Sequence, residues 1–235
     1  MSTSTLQNHL SAAGYDLIDG PVRNHKPLQL WIKHAFNPAE LYYESVLHAF
    51  KSKVKLPLEK DPSLIVDDNL QSQYSFNIGL TLVKEIFQSM GLPPIELEAI
   101  FQSGKKVSIS YKNAHSELVP LGKILEFFAA ADFLHPNPIL MRNANRNHLV
   151  IISGIVSAEQ LVVEFDADSK ISNKQALALT KATNNKVDIS VSRNKKTRMT
   201  AGIGRLPIAV KAGRIDFDRG QFKGIDLMTD GRDLF

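Results

Sequence analysis

Seven histidines, at 9, 25, 34, 48, 115, 135 and 148, are the side chains of this 235-residue sequence first tested for metal or proton chemistry. Their spacing supports neither. No HExxH or other paired ligand spacing occurs and no third ligand suggests itself, so each reads as a surface or half-buried imidazole. Ser103-Gly104-Lys105 echoes a phosphate loop. It lacks the earlier glycine, has Lys106 where Ser or Thr would coordinate magnesium, and precedes a strand instead of a helix. GxSxG and GxGxxG are missing, and Gly202-Ile203-Gly204 runs into Arg205-Leu206-Pro207, which cannot open a long helix directly. The adjacent pair Asp67-Asp68 supplies too few well-spaced oxygens for a cation. With no cysteine in the chain, disulfides, thiolate zinc sites, thiol nucleophiles and S-palmitoylation are excluded, and Ser2 in place of glycine excludes myristoylation. The expectation is a protein without catalytic residues, metal or cofactor.

What remains is charge. The net charge is only +4, but it is unevenly distributed. No Asp or Glu occurs between Asp188 and Asp216, a stretch holding Arg193, Lys195, Lys196, Arg198, Arg205, Lys211 and Arg214. The intervals Asp19–Glu40, Glu44–Glu59, Glu98–Glu117 and Asp132–Glu159 are acid-free as well. Such segments attract an anionic surface, phospholipid or nucleic acid, unless neighbouring acids in space neutralise them. The longest apolar runs, such as LVIISGIV, are too short for a membrane helix, and MSTSTLQNHL lacks the features of a secretory signal. These features predict a soluble chain kept inside the cell, folded as one mixed α+β domain around a core that 43% hydrophobic residues can supply.

The elements that would position these segments follow from periodicity. A helix is expected over Thr5 to Ala13, strands at YDLI and at Leu28 to Ile32, and a helix in AELYYESVLHAF after Asn37-Pro38. Lys51, Lys53 and Lys55 alternate with Ser52, Val54 and Leu56, as on a strand with one cationic face. Tyr74, Phe76, Ile78, Leu80 and Leu82 alternate with polar or small residues, which is the period of a strand. Yet Phe76, Leu80, Val83, Phe87 and Met90 form the stripe of an amphipathic helix. Further on, KKVSISYK reads as a strand, Leu118 to Phe133 as a helix, LVIISGIV and QLVVEFDAD as two strands joined by a turn at Ser157 to Glu159, and Asn173 to Thr183 as a helix. VDISVS and TRMTAGIG flank a basic turn at Arg193. LPIAVKAGRIDFD is expected to end the regular structure, leaving a polar tail.

Taken in order, Gly14-Tyr15-Asp16-Leu17-Ile18, Lys26-Pro27-Leu28-Gln29-Leu30, Leu56-Pro57, the segment ending in Met90-Gly91, KKVSISYKN with its following helix, and DISVSRNKKTRMTAGIGRLPIAV resemble the gasdermin family, in its short bacterial and fungal form. The resemblance implies a twisted, mainly antiparallel sheet with surrounding helices. It also implies a cell-death effector that binds anionic lipid at the cytoplasmic face of the cell membrane, oligomerises, and inserts two β-hairpins per copy, about 51–112 and 149–205, in antiviral defence or allorecognition. A barrel strand needs about 9 to 11 alternating residues, and all its backbone groups must pair with neighbours inside lipid.

On this reading the membrane-inserting residues are Tyr74, Phe76, Ile78, Leu80, Leu82, Val107, Ile109, Tyr111, Val187, Ile189 and Val191. Arg23, Lys26, Lys33, Lys51, Lys53, Lys55, Arg193, Lys195, Lys196 and Arg198 would contact headgroups, and Trp31 is either an interfacial anchor or core. Residues 1–218 would form the pore-forming domain. Residues 219–235 would be a short tail, inhibitory through Phe222, Ile225, Leu227 and Phe235 and relieved by a protease, or else control would lie with a partner or variant protein. Bacterial members commonly carry a lipidated cysteine near the N-terminus, which MSTST lacks. The alternative is a non-enzymatic nucleic-acid-binding module, which the absence of aromatics interleaved with the basic clusters disfavours, so no nucleic acid is expected. A cryptic enzyme ranks third.

Overall fold

The computed structural model describes residues 10–18, 24–35, 37–61, 74–75, 84, 86–88, 90–95, 97–98, 107–135, 137–165, 172–192 and 196–228. In chain order its strands are β1 (Asp16–Leu17), β2 (Leu30–Ile32), β3 (Glu40–Tyr43), β4 (Phe50–Lys51), β5 (Glu59–Asp61), β6 (Tyr74–Ser75), β7 (Val107–Lys112), β8 (His115–Leu118), β9 (Asp132–Phe133), β10 (Leu149–Phe165), β11 (Val187–Val191), β12 (Thr197–Asp218) and β13 (Gln221–Met228). The helices are α1 (Leu121–Ala129), α2 (Pro138–Ala144) and α3 (Asn173–Ala182). Shorter helical stretches occupy residues 10–12, 86–88 and 94–98 in part.

The 17-residue β10 and the 22-residue β12 run antiparallel as the spine of a large sheet. Along the free edge of β10 lie β2, β8 and β7 in succession. Along the free edge of β12 lie β13, β1 and β11. Outside these, β3 pairs with β2, β5 with β8 and β6 with β7. β10 reads as an almost unbroken apolar run because both its faces are covered, which is the physical meaning of such a run. Leu149 and Ile151 face a cluster with Phe127, Phe128 and Phe217. Val150, Ile152 and Ile155 face another with Trp31 and Val210.

Two neighbouring strands break register at one level of this sheet, and the strand line beyond them is interrupted there. β10 shifts between Val156 and Ser157 and again between Ala158 and Gln160. Opposite it, Gly202 pairs with Gln160 and Leu206 with Ala158, so three residues of β12, centred on Gly204 at φ +61°, bulge out against Glu159. On the other side β7 ends at Lys112 opposite Gln160 and β8 begins at His115 opposite Ser157, with Asn113 at φ +53° between them. A crease therefore crosses the sheet, since bulges sharpen local twist and bending. Above it lies the cluster of Tyr111, Leu161, Val163, Val187 and Met199, covered by Phe87, Leu97 and Ala176 and continuous across the crease with Val156, Ile208 and Ala209. Below it lies the aromatic cluster against α1 and α2.

Several expectations are corrected. AELYYESVLHAF is not a helix: Glu40–Tyr43 is a strand on β2, and Val46–His48 is one 3-10 turn capped by Ser45. Tyr42 and Tyr43 fit a pleated surface, and the Ser45 hydroxyl accepts from the Leu47 amide, ending the strand. Ser157 to Glu159 is no turn: the polar residues mark the bulge of a single strand. Of Lys51 to Leu56 only Lys51, the end of β4, is strand, although Lys51, Lys53 and Lys55 are exposed while Ser52, Val54 and Leu56 are half-buried. The helix expected to Phe133 stops at Ala129, and Asp132–Phe133 pairs with β4. Within α1 the buried stripe is Ile124, Phe127 and Phe128, whereas Leu121 and Leu125 are only half-buried. Regular structure does not end at Asp218, because β13 adds an edge strand to β12.

α2 was not legible at the sequence level. Asn137 caps it by accepting from the Leu140 amide at 2.6 Å, with Pro138 at the first helical position. The expected helix at Asn173 is present, and residues 94–95 and 97–98 are helical as well. α3 opens with a reciprocal cap, in which the Gln175 amide donates to Ser172 Oγ (3.3 Å) and the Ser172 amide to Gln175 Oε1 (2.9 Å).

Candidate functional site

Above the crease, β6, β7, β10, β12 and β11 lie side by side. Tyr74 pairs with Ile109, Ile109 with Val163, Val163 with Met199, and Met199 with Ile189. A second row runs Tyr111, Leu161, Ala201, Val187, and a third Val107, Phe165, Thr197, Val191. Directly opposed residues share a sheet face. Six of the eleven residues expected to insert, Tyr74, Val107, Ile109, Tyr111, Val187 and Ile189, thus stand on one face together with Val191, the seventh, although they come from distant parts of the chain. Phe76, Ile78, Leu80 and Leu82 lie outside the described residues.

That face is apolar for a local reason. β11 places Val187 and Ile189 in the core and leaves Asp188 and Ser190 exposed. Around Tyr111 the exposed neighbours are Ser110 and Lys112. Complete burial pushes the Tyr111 phenol well above the usual tyrosine range, so it stays neutral at any physiological pH. Helical pieces cover the face: Ile86, Phe87, Leu92 and Leu97 on one side and Ala176 of α3 on the other. α3 is held to β11 by two threonines. Thr180 Oγ1 accepts from the Ile189 amide (3.0 Å), and Thr183 Oγ1 accepts from the Val187 amide (3.3 Å). The outward face of α3 carries Leu177, 57% exposed.

The basic residues are not brought together. Lys51 sits on β4 opposite Asp132, with Lys53 and Lys55 exposed beyond it. Lys196 and Arg198 lie at the end of the β11–β12 hairpin, closed by the Ser192 amide donating to the Lys196 carbonyl at 2.8 Å. Arg198 Nη1 lies 3.6 Å from Glu164 Oε1, and Lys26 is exposed in the approach to β2. Lys33 corrects its expected role: it is 8% exposed, and its ammonium donates to the Asn37 carbonyl at 2.9 Å, turned inward instead of toward a surface. Trp31 is core, 2% exposed, with the His25 ring stacked on it at 5.1 Å. Arg23, Arg193 and Lys195 lie outside the described residues.

Of the residues expected in the tail, Phe222 stacks on Phe128 at 5.5 Å and packs with Phe217, and Ile225 joins the same cluster. Leu227 is exposed, and Phe235 lies outside the described residues. A bulge lets residues three apart face one way: Ile215 opposes Ile225 while Phe217 opposes Phe222. That irregular spacing made QFKGIDLM read as a polar tail, and the aromatic pair FDRGQF around an Arg-Gly turn was the signal of a hairpin that sequence reasoning passed over. Among the described residues, no group of three or more His, Asp or Glu stands close enough to hold a metal ion. No helix there is long and apolar enough to cross a membrane.

The fold defines a single-domain α+β protein built on a large antiparallel sheet, with strands whose apolar side is covered by helices. The chain belongs to the bacterial gasdermin family: the model of the Bacterial Gasdermin Family matches residues 18–224. Among solved structures it is similar to a bacterial gasdermin from Bradyrhizobium tropiciagri, with a TM-score of 0.61 at 15% identity, covering 95% of this chain and 91% of that one. No curated protein sequence matches it. Gasdermins are non-enzymatic pore formers, and membership gives the chain that role in general terms.

Proposed function

We propose that this protein permeabilises membranes by binding anionic lipid, assembling into a ring of copies, and converting the segments about 51–112 and 149–205 into two membrane-crossing hairpins. One observation carries the reading: the residues with strand alternation already share a single apolar face across β6, β7, β10, β12 and β11. Lifting the helical cover exposes that face as a ready lipid-facing surface, with Asp188, Ser190 and Ser110 on the opposite, aqueous side. Strand edges exposed in hydrocarbon must pair, so neighbouring copies have to close the barrel. Lys26, Lys51, Lys53, Lys55, Lys196 and Arg198 supply attraction to an anionic leaflet, each worth about 1 kcal/mol near a charged surface. The protein would stay in the cytoplasm until it acts at the inner face of the cell membrane.

Residues 219–235 act in this reading as a restraint, because Phe222 and Ile225 hold the lower cluster together and an activating protease or partner would release them. Dye release tests both ideas. Phosphatidylserine-containing vesicles leak, neutral ones do not, and a chain ending at Asp218 leaks faster than the full chain. Rings are visible on the leaky vesicles by electron microscopy. Leakage without assembly, or leakage indifferent to lipid charge, contradicts the proposal.

A further inference from the structure

Below the crease, away from the strands just described, basic groups from three elements come together, and among the described residues none of them is ion-paired with an acid within 4.0 Å. The Lys33 amide donates to the His148 carbonyl at 2.8 Å, which brings the loop after β2 beside the start of β10. His34 and His148 then touch edge to face, their ring centroids 4.4 Å apart. Arg146 stands in the turn between α2 and β10, and Arg214 on β12 opposes Val150. The Arg214 side chain is half-buried, and its Nε–H is buried with no hydrogen-bond partner. By register, the acids beside it are Asp226, opposite it on β13, and Asp216, two residues along β12. Among the described residues neither forms an ion pair with Arg214 within 4.0 Å. Lys33 is committed to the Asn37 carbonyl.

The orientation of His148 is set by Asn143. Its Nδ2 donates to the Ile139 carbonyl (3.0 Å), which turns its Oδ1 toward His148 Nδ1 at 3.3 Å. Nδ1 therefore carries the proton of the neutral ring, and Nε2 becomes a second donor only when the ring is charged. Partial burial and the positive charges of His34, Arg146 and Arg214 hold His148 below the usual histidine range. An anion among them reverses that electrostatic effect.

We propose that His34, Arg146, His148 and Arg214 form a binding site for a phosphate oxyanion, either free phosphate or the phosphomonoester of a lipid headgroup. A carboxylate is saturated by one guanidinium fork, whereas a phosphate has further oxygens for the imidazoles approaching from a second direction. Binding is strongest below neutrality, where His148 joins as a donor. The site is independent of the pore-forming reading, because free phosphate needs no membrane.

The test follows the His148 ring by NMR titration of the full chain, in inorganic phosphate against chloride of equal ionic strength. Phosphate is expected to raise the apparent pKa of His148 by about one unit, the effect of one opposite charge at close range. Arg214→Met abolishes the shift. His34→Gln, at an exposed position, at least halves it and keeps the test valid should Arg214→Met not fold. No shift in the wild type, or the same shift in wild type and His34→Gln, overturns the site. A parallel arm sediments the proteins with phosphatidic acid or phosphatidylcholine vesicles. Weaker sedimentation of His34→Gln with phosphatidic acid alone assigns the phosphate to lipid. Equal sedimentation, with the NMR shift present, assigns it to free phosphate.

Discussion

Gly213 shows how much one missing methyl controls. A Cβ there would collide with Cγ2 of Ile225 on β13, so the Ile225 side chain fills the space that a β-carbon would need. Gly213→Ala is expected to destabilise the fold by about 2 kcal/mol, within the range for overpacking, and Ile225→Ala in the same chain restores most of it. Urea denaturation of the two single variants and the double variant measures that coupling, which exceeds what independent sites would show. Phe222→Ala removes a half-buried ring and is expected to cost about 2 kcal/mol, less than a fully buried phenylalanine. His148 gives a pH signature. Its folded pKa is depressed, so the stability it contributes is fully present above the unfolded value of about 6.5 and is lost as pH falls through the folded value. Histidine 148 replaced by Gln flattens that limb of the stability–pH curve, and thermal melts between pH 7.5 and 5 reveal it.

Among the elements, α3 is the cover whose removal matters most. Thr180→Val deprives the Ile189 amide of its acceptor and is expected to loosen α3 from β11 by about 1 kcal/mol. Hydrogen exchange at Ile189 rises, and vesicle leakage quickens with it; faster exchange with unchanged leakage would separate α3 from the conversion. Elements of this kind were legible where local chemistry decides the outcome. The capping box at Ser172, the alternation of Val187 to Val191 and the stop at Gly91, with φ +97°, could all be read from the sequence. In the segment that fits both periods, Tyr74–Ser75 is strand and residues 86–88 are helical with Ile86 and Phe87 buried, while Phe76 to Val83 lie outside the described residues. What failed to be legible depends on distant partners. β3 is a strand because β2 lies beside it, and β10 passes through Ser157 because Pro207 and His115 pair with it there. Of the site, the alternating strands could be read from the chain, but their common face rests on pairings such as Ile109 with Val163, which no local pattern contains. The inward turn of Lys33 ends on the Asn37 carbonyl only four residues along, but a basic residue in an acid-free stretch reads from sequence as a surface cation.

At the scale of the whole molecule, two blocks are expected on either side of the crease. The cluster above it runs on beneath the crease through Val156, Ile208 and Ala209, whereas the aromatic cluster against α1 and α2 lies wholly below, so local opening above the crease need not disturb that second cluster. Native-state hydrogen exchange should show residues 107–112, 160–165 and 187–191 opening together, at lower free energy than residues 149–156 and 208–216. A single opening energy for both groups would mean that the sheet acts as one unit. The crease also has a mechanical consequence. From Glu159, opposite the bulge of β12, to the end of β10 at Phe165 the upper block extends roughly 20 Å, taking about 3.3 Å per residue. A rotation of about 30° at Gly204 and Asn113 therefore sweeps the far end through roughly 10 Å, about the distance between two packed sheets. Backbone change at a few residues is converted by this lever arm into a displacement large enough to carry the strands out from under their helices, while the aromatic cluster against α1 and α2 keeps its contacts.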